Sequence, residues 1–273
     1  MSRVEIAAHL PPVQYGFRLE TRSYQEKLVP YHGQTVLYYQ YVMDTRVHSI
    51  RVVPDGCMDV IICCDPWRPH SLICGTILQG ETIPFHAGAT YFGIRLTPLH
   101  SLHLAPAPFR ELIERQPLLQ DVVKGVDHLC DDIAELETFS ERIAHFEQYL
   151  LPKLLSPEQP SGWMPYCLQK IYQSKGSVTV DELADDVGFS SRYIRKKFVE
   201  TLGLSPKQYS RITRFQNTLS SMMSRPAATG AIASELGYYD QAHFIKDFKH
   251  FSLFTPMQIL MLMQANAHTL PPF

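Results

Sequence analysis

Two hydrophobic periods divide the chain. Over the first hundred residues the apolar positions come in short runs rich in β-branched and aromatic side chains: TVLYYQYVM at 35–43, VHSIRVV at 47–53, MDVIICC at 58–64, SLICGTIL at 71–78 and ATYFGIRL at 89–96. Turn chemistry bounds them, with PDG at 54–56, DPWRPH at 65–70 and QGE at 79–81. Runs of that length between such breakers predict strands. Asp55-Gly56 reads as a hairpin turn. Five short strands at this spacing predict an antiparallel sandwich or barrel.

From about residue 106 the period lengthens to that of a helix. APFRELIERQPLLQDVV and IAELETFSERIAHFEQYLLPKLL both have helical spacing, and in the second Ile133, Leu136, Phe139, Ile143, Phe146 and Leu150 recur at steps of three and four, which predicts a long amphipathic helix there. Its apolar face either covers the sheet or pairs with a partner's copy. The Pro/Ser-rich LLSPEQPSGW at 154–163 ends it. The expected organisation is α+β: a β-rich effector-sensing or dimerisation domain at 1–156 with packed helices at about 106–153, a linker at 157–163, and an all-α domain at 164–265.

Within the α domain, Thr179 and Glu182 have the spacing of a capping box, and Leu183, Ala184 and Val187 share one face. Gly188 stops that helix, Ser190 or Ser191 caps the next, and Ile194, Phe198 and Leu202 form its buried stripe. Two short helices about a tight glycine turn make a helix-turn-helix. The second of them leaves Arg192, Arg195 and Lys196 outward, a shape and charge that fit a DNA major groove.

The pattern returns about fifty residues later in AIASELGYYDQAHFIKDFKHFSLFTP. Phe244 and Phe248 repeat Ile194 and Phe198, Lys246 repeats Lys196, and Thr255-Pro256 repeats Ser205-Pro206. The units are expected at about 178–203 and 228–254, joined by one helix at 206–223 that spans roughly 25 Å. One turn of DNA is about 34 Å, so one chain is able to address two successive major grooves.

Charge sharpens this picture. The net charge is −2, yet from residue 160 onward 12 Lys and Arg face 8 acidic residues, whereas before it 13 face 19. Only the C-terminal half is suited to a polyanion. No apolar run approaches a membrane span and the N-terminus has no signal-peptide core, so the cytoplasm is the expected compartment, with double-stranded DNA and no membrane as partner.

LADDVGFSSRYIRKKFVETLGLSPKQYSRITRF and IASELGYYDQAHFIKDFKHFSLFTPMQIL together resemble the AraC/XylS family of transcription regulators, over about residues 165–262. The resemblance implies base-reading positions at Arg192, Arg195 and Lys196 in the first unit and at Gln241, Ala242, Ile245 and Lys246 in the second. Arg suits guanine, Gln adenine, and Ile a thymine methyl. Ser191, Lys197, Lys207, Arg211, Arg214 and Lys249 are the candidate phosphate contacts, and RNA polymerase is the implied downstream partner. Two departures are expected to weaken the second unit: Leu253 stands where Gly203 stands in the first, and the second unit opens with Ala228 and carries Gly230.

VVPDGCMDVIICC, CGTIL and YFGIRLTP resemble the sensor-type domain of some regulators of that family. Asp59 and Arg95 sit in predicted strands among apolar neighbours, where they pair with each other or with a polar ligand. Cys57, Cys63, Cys64 and Cys74 lack metal-ligand spacing and read as small core residues. His86, His100 and His103 have no carboxylate at ligand spacing, so no metal or cofactor is expected. No nucleophile–base, phosphate-loop or paired-carboxylate motif appears, so the chain is not expected to be an enzyme. Three readings of the N-terminal half remain: a small-molecule sensor, a modifying enzyme fused to a DNA reader, and a homodimer joined through 133–150.

Overall fold

A computed structural model describes residues 12–65, 68–100, 102–103, 108–126, 128–158, 162–226, 229–238 and 240–265. A short helix, α1 (Tyr15–Glu20), leads into seven strands: β1 (Thr21–Tyr31), β2 (Gln34–Met43), β3 (Ser49–Val52), β4 (Met58–Cys63), β5 (His70–Cys74), β6 (Glu81–Pro84) and β7 (Thr90–Leu96). All pairings are antiparallel. Five strands form one sheet in the order β1-β2-β7-β4-β5, and β3 pairs with β6 in a second, two-stranded sheet.

The apolar runs are continuous because the central strands are covered on both faces. Val60, Ile62 and Cys64 enter one core with Phe92 and Ile94. Ile61 and Cys63, one residue out of phase, enter a second with Tyr39, Tyr41 and Tyr91. Strand alternation therefore sends the adjacent Cys63 and Cys64 to opposite faces. All six cysteines are free, and burial pushes the Cys64 thiol up to about 11, where it behaves as an apolar side chain.

Two expectations need correction. Asp55-Gly56 is not a hairpin turn: Gly56 does turn at φ 74, but β3 pairs with β6 and β4 with β5 and β7. The chain thus crosses between sheets at 53–57. The first helical stretch holds two short helices, α2 (Pro108–Leu112) and α3 (Leu119–Val122), and the long helix expected after it is a series: α4 (Leu129–Glu135), α5 (Phe139–His145), then a π turn at Phe146–Leu150 running into α6 (Leu151–Leu154). Leu136 is extended, and Thr138 starts α5 afresh with a capping box to Glu141. Most of the apolar stripe of 133–150 lies within the chain itself, with Tyr149 left exposed. Ile133, Ile143, Phe146 and Leu150 are buried in the chain's own core, and the Phe139 ring packs on Phe92 at 6.1 Å between centroids.

Among the described residues seven helices follow: α7 (Trp163–Gln173), α8 (Val180–Val187), α9 (Ser191–Leu202), α10 (Pro206–Ser224), α11 (Thr229–Glu235), α12 (Gln241–Ser252) and α13 (Pro256–Ala265). The hydrophobic core runs without a break from Val60 and Phe92 through Leu154 and Leu168 to Ile194, Phe215 and Phe248. The β-rich and helical halves therefore pack on each other directly. No helix among the described residues is long and apolar enough to cross a membrane.

The helix ends follow the caps. Thr179 with Glu182 and Ser205 with Gln208 form capping boxes, and Ser190 and Asp240 cap α9 and α12 through their side chains. Gly188 and Gly203 end α8 and α9 in the left-handed conformation at φ 72. Leu253 ends α12 in the same region, at φ 67, where its Cβ meets the following carbonyl. Leu253→Gly is expected to stabilise the chain by about 1 kcal/mol in urea melts. No change would mean that the lost Leu253 packing offsets the relieved strain. Ala228 lies outside the described residues.

Candidate nucleic-acid interface and its coupled cavity

In the first unit, Ile194 and Phe198 are fully buried, which fixes the rotation of α9 about its axis. A period of 3.6 then places Arg192, Arg195 and Lys196 on the opposite side, and all three are exposed. Lys196 lies 3.6 Å from Glu200 and keeps a side chain 69% exposed, so the pair leaves it available. Phe189, Tyr193 and Trp163 form an aromatic cluster beside the N-terminus of α9.

The second unit repeats the geometry. Phe244 and Phe248 are buried, while Gln241, Ala242, Ile245 and Lys246 are exposed on α12. The connecting helix α10 has 19 residues, about 28 Å at 1.5 Å per residue. The Phe215 ring on α10 contacts the rings of Phe248 and Phe251 at 5.3 and 5.2 Å, fastening α12 to it. Between the units lies a groove of about 590 Å³ lined by Arg195, Lys207 and His243 among others.

The candidate phosphate set divides. Lys207 and Lys249 are exposed. Arg211 is instead committed within the protein: Nη2 donates to Asp247 Oδ1 at 2.8 Å, Nε donates to Oδ2 at 3.3 Å, and the guanidinium lies over the Phe251 ring. Arg214 Nη2 donates to the Gly176 carbonyl at 2.9 Å while its guanidinium sits over Tyr238, which ties the first unit to the second. Arg211 thus fastens α10 to α12 and Arg214 bridges Gly176 and Tyr238, although the Arg211 side chain remains 37% exposed. Two others carry intramolecular partners as well: Ser191 donates to Asp181, and Lys197 pairs with Glu200 at 2.8 Å.

In the β-rich half a cavity of about 380 Å³ opens between the five-stranded sheet, the β3–β6 pair and α1. Asp59 and Arg95 face each other across β4 and β7. Arg95 Nε donates to Asp59 Oδ1 at 2.9 Å and Nη2 to Oδ2 at 3.0 Å, a two-pronged pair. Arg95 Nη1 reaches Asp55 Oδ2 at 3.4 Å, so the pair is a triad whose third member was read from sequence only as a turn residue. The side chains of Arg95, Asp55 and Asp59 are 4%, 7% and 17% exposed. Burial pushes the Asp59 carboxyl above its usual range, against the pull of Arg95.

His100 is accounted for structurally. Its Nδ1 accepts from Thr97 N at 2.8 Å, and its Nε2 lies 3.0 Å from the Thr35 carbonyl. Among the described residues no group of three or more His, Cys, Asp or Glu is placed to hold a metal ion.

The crossover 53–57 is shared between the two halves. Val53, Asp55 and Cys57 line the cavity. On its other side the Pro54 carbonyl accepts from Gln216 Nε2 of α10 at 2.7 Å, and the same Gln216 accepts from Val13 N at 2.8 Å. A Cβ on Gly56 would lie 2.8 Å from the Tyr209 ring of α10, so only glycine allows this approach at φ 74. Further contacts reach the second unit: Tyr15 Oη donates to the Ser252 carbonyl at 2.6 Å, and Gly80 N donates to the His250 carbonyl at 3.2 Å. Sequence reasoning missed Gln216 and Tyr209, whose partners lie more than 150 residues away in the chain.

Two family models match the sequence. One, described as a helix-turn-helix domain, covers residues 183–260; the other, a domain of unknown function (DUF6597), covers 34–117. Curated relatives include the uncharacterized HTH-type transcriptional regulator SAS0078 of Staphylococcus aureus (strain MSSA476), 31% identical over 81 residues that make up 30% of this chain and 11% of the relative. Another is YidL of Escherichia coli (strain K12), 29% identical over 82 residues, 30% of this chain and 28% of the relative. The chain thus spans only about a tenth to a quarter of the length of these relatives. Among solved structures, ToxT from Vibrio cholerae aligns over 88% of this chain and 98% of its own, with a TM-score of 0.45 and 11% identity. A second ToxT structure, bound to (E)-4-(8-methylnaphthalen-1-yl)but-3-enoic acid, aligns over 88% of this chain and 99% of its own at a TM-score of 0.44 and 11% identity. With the helix pairs α8–α9 and α11–α12 set on the connecting helix α10, the matched span 183–260 is a helix-turn-helix domain.

Proposed function

We propose that the chain is a sequence-specific DNA-binding transcription regulator whose β-rich half binds a small molecule and reports its occupancy to α10. The observation that carries the DNA reading is the repeated unit: two recognition helices, each with a buried aromatic or aliphatic stripe and an exposed polar face, on one connecting helix. Arg192, Arg195 and Lys196 are the principal base readers in this reading. Gln241, Ala242, Ile245 and Lys246 add a weaker second half-site, and Lys207 and Lys249 neutralise phosphates. RNA polymerase at a promoter is the downstream partner, and the cytoplasm is where both are met.

The sensing part rests on the shared wall. A ligand pressing on Val53, Asp55 or Cys57 acts on the segment whose far side holds Gln216 and Tyr209. It can therefore bias the orientation of both units if its affinity differs between two arrangements. An enzymatic cavity is disfavoured by its chemistry. Burial raises the Cys57 and Cys74 thiols, away from the reactive thiolate, and both carboxylates are engaged by Arg95.

The test is selection of bound DNA from a random-sequence pool by the full chain, followed by a salt titration on the selected site. A motif spanning two successive major grooves is expected, with log K falling by about 0.9 per phosphate neutralised for each unit of log salt. Binding no tighter than about 10⁻⁵ M to any sequence at low salt, the non-specific range, would remove the reading.

A further inference from the structure

We infer that the cavity selects a cationic amine carried on an apolar or aromatic body. The inference rests on the reading of the cavity as an effector site and adds to it the chemical class of the effector. At about 380 Å³ the space is within the range of small-molecule sites. The side chains that line it with a fixed charge are Asp55, Asp59 and Arg95, two carboxylates against one guanidinium.

The hydrogen bonding favours the same sign. Every guanidinium nitrogen of Arg95 is engaged: Nε and Nη2 on Asp59, and Nη1 on Asp55 and, at 3.4 Å, on the Pro12 carbonyl. An anionic ligand would have to break one of those pairs and lie beside a carboxylate. The carboxylates are less committed. Asp55 accepts from Cys57 N and Gln14 Nε2 at 2.9 Å each, besides its contact with Arg95. Each carboxylate offers about four acceptor sites, so an ammonium finds charged acceptors where an anion finds the guanidinium donors already taken.

The remaining wall suits the body of such a ligand and, in part, its charge. Phe17, Phe85 and Tyr91 line the cavity, with Phe85 edge-on to Tyr91 at 4.9 Å between centroids. Ring faces of this kind attract a cation as well as burying hydrocarbon. His70 and His86, whose rings are 5.7 Å apart, also line the cavity. A hydrogen bond with Cys63 raises the His70 imidazole above its ordinary range, so the comparison belongs at alkaline pH.

The experiment is isothermal titration of the full-length protein, at about pH 8.5, roughly two units above the ordinary histidine value, with three probes on one body: phenylbutylamine, phenylbutyrate and phenylbutanol. The amine is expected to bind about tenfold or more tighter than the alcohol, the worth of a charge-assisted hydrogen bond. Asp55→Asn should erase that margin while leaving the alcohol unchanged. Tighter binding of the butyrate, or equal binding of amine and alcohol, overturns the charge class and leaves the effector reading standing. Binding of none of the three up to about 1 mM also overturns it. The wild-type comparison decides the matter even if Asp55→Asn fails to fold. The effector reading has its own arm: Ile61→Trp fills the cavity, and if it folds with a DNA affinity unchanged from wild type, that reading falls.

Discussion

Arg95→Met is expected to destabilise the full chain by about 3–5 kcal/mol, because it leaves Asp55 and Asp59 buried without their cation. The arginine side chain is 4% exposed, so water does not replace it cheaply. The methionine fills much of the same volume, which keeps the cavity term small and isolates the charge. The loss should depend on pH in a stated direction. Burial already holds the Asp59 carboxyl above its usual range while Arg95 pulls it back, and in the variant that pull is gone. An acid whose folded pKa lies above its unfolded value of about 3.9 binds protons more readily when folded. Its stability contribution therefore falls as pH rises through that window and recovers below it. Relative to wild type, the deficit should be largest near pH 7 and shrink toward pH 4. Urea melts of both proteins at about pH 7 and about pH 5 measure it. A deficit that does not change between them, or one under about 1 kcal/mol as for an exposed pair, would show that the triad is solvated. Converting Asp55 and Asp59 to Asn in the same protein should recover much of the loss, since the orphaned charges are then absent.

The contrast between the two halves shows what sequence can carry. The helical half was legible because its boundaries are local chemistry. Thr179 with Glu182, Ser205 with Gln208, and Gly188 and Gly203 each act within four residues, and the repeat doubled the signal. Leu253 in the left-handed region was legible for the same reason, by analogy with Gly203. In the β-rich half the strands within apolar runs were legible, and β1 and the short β6 were not. β1 went unread because TRSYQEKLVPY is an edge strand with mostly exposed side chains, so it has neither an apolar run nor a clean alternation. The run from 133 to 150 kept its apolar step across the break at Leu136–Thr138. The helix restarts there because Thr138 and Glu141 cap it, and that local signal was outweighed by the period.

Charged residues divide in the same way. An arginine on a helix facing DNA and one facing a distant carboxylate look alike along the chain. Arg211 meets Asp247 thirty-six positions later and Arg214 meets the Gly176 carbonyl thirty-eight earlier, so only the packed structure shows these partners. Asp59 with Arg95 was anticipated from their place among apolar neighbours. Asp55 was not, because a residue before glycine at a crossover reads as turn chemistry whatever else it does. The shared wall at 53–57 has the same cause, since its partners Tyr209 and Gln216 lie on α10, in the other half of the chain.

Replacing both Arg192 and Arg195 with Ala is expected to weaken binding to the selected DNA site by about 2–6 kcal/mol, roughly thirtyfold to ten-thousandfold, from about 1–3 kcal/mol for each good base contact. The fold should be untouched, since both side chains are exposed and the stripe of Ile194, Phe198 and Leu202 that seats α9 is intact. Binding to random DNA should fall far less, so the ratio of specific to non-specific affinity is the quantity to measure. Lys207→Ala is the contrasting variant. It should weaken all sequences alike and flatten the salt dependence by about 0.9 in log K per unit of log salt, the signature of one lost phosphate contact. The two variants therefore move different observables, one the specificity ratio and the other the salt slope. If the double variant changes only the salt slope, α9 lies along the backbone and does not enter the groove. The bases would then be read through α12, where Gln241, Ile245 and Lys246 are the exposed side chains that remain to do it.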